Sequence, residues 1–143
     1  MAASGRSDRF AHFLAAQDGT FDTALGELRA GAKRSHWMWF VFPQIAGLGS
    51  STMAARFALS GRSEARAYSE HPVLGDRLDQ ATEAMLDWAG TLSAADILGS
   101  VDAMKFRSSM TLFEAAAKEA EIFAAALDQF YGGDRDPLTL QRL

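Results

Sequence analysis

The chain has 143 residues, of which 48% are hydrophobic, 22% charged and 10% aromatic. That composition fits one globular domain able to bury roughly two thirds of its unfolded surface, and it excludes both a disordered tail and a pair of ordinary domains. Fourteen Lys and Arg against eighteen Asp and Glu leave a formal charge of −4, and there is no cysteine. The charge excludes a nonspecific nucleic-acid binder while allowing a local basic pocket, and the missing thiols exclude disulfides, zinc–thiolate sites, iron–sulfur clusters and cysteine nucleophiles.

Residues 1–7 have no apolar signal core and read as a flexible N-terminus, with a single helical domain over 8–143. No later stretch holds eighteen uncharged apolar residues, so no membrane contact and a cytoplasmic location are expected. Residues 8–17 carry Phe10, Phe13 and Leu14 at helical spacing, and 21–30 repeat the pattern with Phe21, Ala24, Leu25 and Leu28 before Gly31 supplies a stop. The run Trp37-Met38-Trp39-Phe40-Val41-Phe42 fits a buried strand as well as a buried helix. Its aromatics and valine favour a strand, but no second convincing β run offers it a partner edge, so a central helix ended by Pro43 is predicted. A glycine-serine connection over 47–52 leads into a helix over 53–59, and Ser63 begins another.

His71-Pro72 marks a break, after which 73–89 reads as the longest amphipathic helix, with Leu74, Leu78, Ala81, Met85 and Trp88 along one stripe. His71 is expected to cap it. Ser93 and Ser100 stand at N-cap positions, Gly99 and Gly132 at stops, and Asp136-Pro137 is a cap followed by proline in the first helical position. The prediction is an all-α single domain of about seven to nine helices.

Two constellations carry chemistry. In the first, Lys33, Ser35 and His36 run straight into Trp37, Trp39 and, past Pro43, Gln44. On a helix, Lys33, His36, Trp37 and Phe40 would share one face and place a cation and an imidazole beside aromatic walls, as pockets for planar or anionic molecules are lined. The bland alternative is a snorkelling lysine and a core histidine. In the second, 100–113 projects Val101, Met104, Lys105, Ser108, Leu112 and Ala115 onto one stripe, so a lysine and a hydroxyl interrupt a face expected to be core. An unpaired buried ammonium is costly, so Lys105 needs a carboxylate such as Asp102 or Asp136, or an anionic ligand.

The 47–52 loop lacks the lysine of a phosphate-binding P-loop and reads as a helix cap. There is no HExxH, GxSxG or EF-hand pattern, and His12, His36 and His71 lack metal-ligand spacing, so neither a metal nor a cofactor is expected. Ser108 or Ser109 beside Lys105 has the outline of a serine–lysine pair, although hydroxyls on a buried helix commonly bond the preceding turn.

From Lys33 through Gln44 the chain resembles the bacterial family known as domain of unknown function 1810. The likeness continues through Gly47 to Ser51, Glu64 to Tyr68, His71 to Gly75, Ile97 to Gly99, Lys105 to Phe113 and Asp136 to Leu140. The resemblance implies a single all-α domain without an established activity. The label calpastatin often attached to such proteins describes a disordered, repeat-containing chain, which this composition does not match.

The signature holds the polar residues that stability alone explains least: Lys33, Ser35, His36, Gln44, Lys105, Ser108 and Ser109. The expectation is a polar pocket between the 33–44 and 105–113 segments for a small anionic metabolite, nucleotide-like compounds included. Lys33 and Lys105 would supply charge; Ser35, Gln44, Ser108 and Ser109 hydrogen bonds; Trp37 or Trp39 a stacking wall. His36 is the candidate proton carrier should a reaction occur. The rival readings are a protein–protein interaction or self-association module, and a buried polar network that only fixes the core.

Overall fold

The computed structural model describes residues 9–143, so the expected flexible stretch 1–7 lies outside the described residues. Among the described residues ten helices follow in chain order: α1 Ala11–Gln17, α2 Phe21–Arg29, α3 Met38–Val41, α4 Thr52–Arg56, α5 Arg62–Glu70, α6 Leu74–Leu86, α7 Ala94–Leu98, α8 Ser100–Ala116, α9 Glu121–Tyr131 and α10 Pro137–Gln141. The fold is all-α, and the count exceeds the expected range because several single-turn helices stand as separate elements.

The longest helix is α8, with 17 residues, and not the 73–89 segment. That segment forms the 13-residue α6 and ends at Leu86, leaving Trp88 in the following turn with its indole Nε1–H donated to the Leu28 carbonyl at 2.9 Å. Helix α8 is the central post. Residues Ser108 through Phe113 are all buried, so successive positions face neighbours on every side, and α5, α7, α9 and α10 pack around it. Helix α6 turns Leu74, Leu78, Ala81 and Met85 inward against α2, α5 and α9. Gly75 lets α6 start close against the end of α5, where a Cβ would overlap the Ser69 carbonyl oxygen.

The caps largely follow the local chemistry. Ser93 and Asp96 form a reciprocal capping box, Ser51 accepts from the Ala54 N–H, Asp136 from the Thr139 N–H, and His71 Nδ1 from the Val73 and Leu74 N–H groups. Ser100 is not a cap. Gly99, with φ of 86°, takes that place and Ser100 is the first helical residue, because α7 and α8 are separated by one residue that must reverse direction in the left-handed region.

The aromatic run contracts to one helical turn, Met38–Val41, with Trp37 and Phe42 fully buried on either side. The strand alternative survives only as an isolated parallel bridge just beyond it, Ile45 to Leu59, closed by Ala46 N–H to Leu59 O at 2.8 Å and Leu59 N–H to Gln44 O at 2.9 Å. Leu59 therefore lies outside α4, which stops at Arg56. The bridge pins both ends of the loop carrying α4 and sets one wall of the site described below. Gln17, buried at the junction of α1, α3, α5 and α6, donates to the Phe40 carbonyl at 2.7 Å and accepts from Arg77 at 3.1 Å, which satisfies an amide that would otherwise be costly to bury.

Candidate functional site

The site begins behind its own surface, at Glu27 on α2. Its carboxylate accepts four hydrogen bonds: the N–H groups of Arg34 and Ser35 at 2.7 and 3.1 Å, the Ser35 hydroxyl at 2.7 Å and the Trp37 indole at 2.9 Å. Burial alone would raise its pKa, but these donors outweigh that and hold the carboxyl at about 2. The clamp keeps residues 33–37 as a loop, so Lys33, His36, Trp37 and Phe40 do not share a helical face as expected. Trp37 turns into the core, while His36 is exposed.

From this loop Lys33 reaches Asp102 on α8, Nζ to Oδ2 at 2.9 Å, with its ammonium 5.2 Å from the centre of the Trp37 ring. The same carboxylate receives Lys105 through its other oxygen at 3.5 Å, and Lys105 in turn lies 5.1 Å from the centre of Trp39. Two lysine–tryptophan pairs are thus joined through one acid, and the cluster carries one positive charge more than it neutralises.

Trp39 and Lys105 open onto a groove of about 380 Å³, bounded by α3 and the Gly49-Ser50-Ser51 loop on one side and by α8 and the start of α10 on the other. Of the nine residues expected to bind a ligand, Trp39, Gln44, Lys105 and Ser108 line it. Lys33, Ser35 and Trp37 stand in the layer behind, tied to Asp102 and Glu27. Ser109 is fully buried and its hydroxyl makes no hydrogen bond among the described residues. The Ser108 hydroxyl donates to Asp136 Oδ2 at 2.8 Å, with the Met104 carbonyl at 3.2 Å as a weaker acceptor.

Several lining residues were not singled out for this role by the sequence. Val101 and Met104 were projected onto a core stripe, yet both are more than half exposed, as is Leu138 across the groove. Of that stripe Ser108 and Leu112 are buried. Arg107 also lines the groove, but its guanidinium is committed to the 134–135 turn, donating to the Asp134 and Arg135 carbonyls at 2.7 and 2.8 Å and pairing with the Asp134 carboxylate at 3.0 Å. Asp136 was read as a cap, and it is one, but it faces the groove as well. The 47–52 loop, expected chiefly as a helix cap, contributes Ser50 and Ser51 to the wall.

Among the described residues no three His, Asp or Glu side chains are grouped to hold a metal ion, and no helix is long and apolar enough to cross a membrane. No curated protein matches the chain. Among solved structures it is similar to the conserved hypothetical protein Rv1873 from Mycobacterium tuberculosis, at 44% identity over 93% of this chain and 94% of that one, with a TM-score of 0.89. The family model described as protein of unknown function (DUF1810) matches residues 7–143, and the chain belongs to that family.

Proposed function

We propose that the groove between α3 and α8 binds a small anionic metabolite, with Lys105 as its charge anchor. The carrying observation is the shared acid: Lys33 holds Asp102 at 2.9 Å and Lys105 meets it only at 3.5 Å, so the weaker-held ammonium stands at the groove wall with charge to spare. Its volume of about 380 Å³ lies within the range of small-molecule sites. Trp39 offers a flat apolar surface, and Gln44, Ser50, Ser51 and Ser108 offer hydrogen bonds. Lys33, Ser35 and Trp37 act one layer back, holding Asp102 and the loop in place. Binding alone is proposed, since no histidine lines the groove.

The test is a thermal-shift panel of small carboxylates, phosphates and nucleotides on the native protein and on Lys105→Met, which removes the charge at nearly constant volume. A compound that raises the melting temperature of the native protein and leaves that of a folded Lys105→Met protein unchanged supports the reading. A panel without a hit, or a hit that ignores the substitution, overturns it.

The exposed apolar rim of Val101, Met104 and Leu138 favours a second reading, in which the same face receives a protein partner or a second copy. Mass that rises with concentration, measured by light scattering, would favour self-association over a metabolite.

A further inference from the structure

The groove contains an acid as well as a base, and among the described residues the two do not pair. Lys105 finds its carboxylate in Asp102. Among the described residues Asp136 has no cation within ion-pair reach: its Oδ2 takes hydrogen bonds from the Ser108 hydroxyl at 2.8 Å, the Thr139 N–H at 3.2 Å and the Thr139 hydroxyl at 2.6 Å, while Oδ1 takes none. Asp136 as a whole residue is only 9% exposed, yet it lines the groove. A carboxylate oxygen has lone pairs for hydrogen-bond donors, and among the described residues Oδ1 has none of its own, which leaves it for a donor from the groove.

The spacing is set by the fold. Lys105 and Ser108 are three residues apart on α8 and therefore neighbours on one face, about 5–6 Å between Cβ atoms, and Ser108 touches Asp136 directly. The Lys105 ammonium leans back toward Asp102 while Asp136 meets Ser108 one turn further on, so the positive and negative ends of the groove are separated along α8 and do not neutralise one another. Val101, Met104 and Leu138 stand more than half exposed at its rim, a surface that an apolar group would cover. The volume, about 380 Å³, is that of about a dozen water molecules.

We propose that the ligand is a zwitterion with an apolar body, a free α-amino acid bearing a large apolar side chain. Its carboxylate meets Lys105, its ammonium meets Asp136 Oδ1, and its side chain lies against Met104 and Leu138. A phosphate dianion suits the groove poorly, because Asp136 repels the second charge. The proposal rests on the reading of Lys105 as anchor for an anionic group, here the carboxylate of a molecule without net charge, and adds the acid as its second determinant.

Three probes of one shape separate the two: L-phenylalanine, 3-phenylpropionate, which lacks the ammonium, and phenethylamine, which lacks the carboxylate. Titration calorimetry should find phenylalanine at least tenfold tighter than either relative. Lys105→Met should weaken phenylalanine and phenylpropionate about tenfold and leave phenethylamine unchanged. Asp136→Asn, which keeps a capping oxygen for Thr139, should weaken phenylalanine and phenethylamine and leave phenylpropionate unchanged, which also reports that the variant is folded. Phenylpropionate binding as tightly as phenylalanine overturns this proposal and leaves the anion reading standing. Phenethylamine binding best overturns both. If none of the three binds, the amino-acid assignment falls, and the wider panel decides the anion reading by itself.

Discussion

Replacing Asp102 by Asn tests the arrangement at its centre, because one carboxylate holds two lysines with unequal strength. The Lys33 side chain is 10% exposed and that of Asp102 18%, at 2.9 Å, whereas Lys105 is 28% exposed at 3.5 Å. Exposed pairs contribute about 0–1 kcal/mol, and removing one partner of a fully buried pair costs about 3–5 kcal/mol. The Lys33 pair falls between, at about 2 kcal/mol, and the Lys105 pair near the exposed limit, so Asp102→Asn should cost about 2–3 kcal/mol. For a chain of this length that is a drop in melting temperature of about 5–10 °C. Lys33→Met should cost about 1 kcal/mol or less, since an apolar chain of similar volume replaces a half-satisfied cation and Asp102 retains Lys105. In the Lys33→Met background the Asp102→Asn substitution then loses only the weak pair. Urea denaturation of the four proteins gives the coupling, expected at about 1–2 kcal/mol. If Asp102→Asn costs the same in both backgrounds, the two ammonium groups do not share the acid as argued.

Glu27→Gln should destabilise the protein by about 1–3 kcal/mol at neutral pH, because the amide nitrogen cannot accept the Ser35 hydroxyl bond and the remaining bonds lose their charge. Glu27 titrates at about 2 in the folded chain against an ordinary 4.5, so the unfolded state takes up the proton first as pH falls. The native protein should lose this increment between about pH 4.5 and 2 and keep it whole above that window, the gap to the Gln variant closing near pH 2; a gap constant across the range, in urea melts taken stepwise, would contradict the clamp. Ser109→Ala removes a buried hydroxyl that bonds to nothing among the described residues, and should be neutral or stabilising by about 1 kcal/mol. A loss of more than about 1 kcal/mol in the same melts would reveal a partner.

Much of the fold was legible because it rests on local chemistry. The 3.6-residue spacing of Leu74, Leu78, Ala81 and Met85 marks α6, and Ser93, His71 and Asp136 cap where short polar side chains before apolar runs are expected to cap. The local pattern fails where a distant residue overrides it. The 33–37 stretch has no internal signal against continuing a helix into Trp37. What stops it is Glu27, whose carboxylate takes the Arg34 and Ser35 N–H groups, and a tertiary hydrogen bond leaves no trace in the spacing of the residues that donate it. Ser100 failed as a cap for a related reason: its neighbour Gly99 had already been read as the stop of α7, and one residue serves both helices.

The lining of the candidate groove was legible by residue type and illegible by charge balance. Lysines and serines inside apolar stretches drew attention to both segments, and four of those side chains meet at one groove. Whether a lysine there is a ligand group or a core strut depends on how many acids it must share, and that count is set by packing. Asp102 lies three residues before Lys105, so their pairing is visible in a helical reading; that Lys33 takes the same acid depends on the loop turned by Glu27. The same logic separates Asp102 from Asp136. Both are acids near Lys105, but one is spent between two cations and the other keeps an oxygen open in the groove. On the proposed reading that difference is what would select a ligand: a cation that shares its acid at one end and, among the described residues, an acid without a cation at the other would distinguish ligands by the sign and spacing of their charges, which an apolar rim alone could not do.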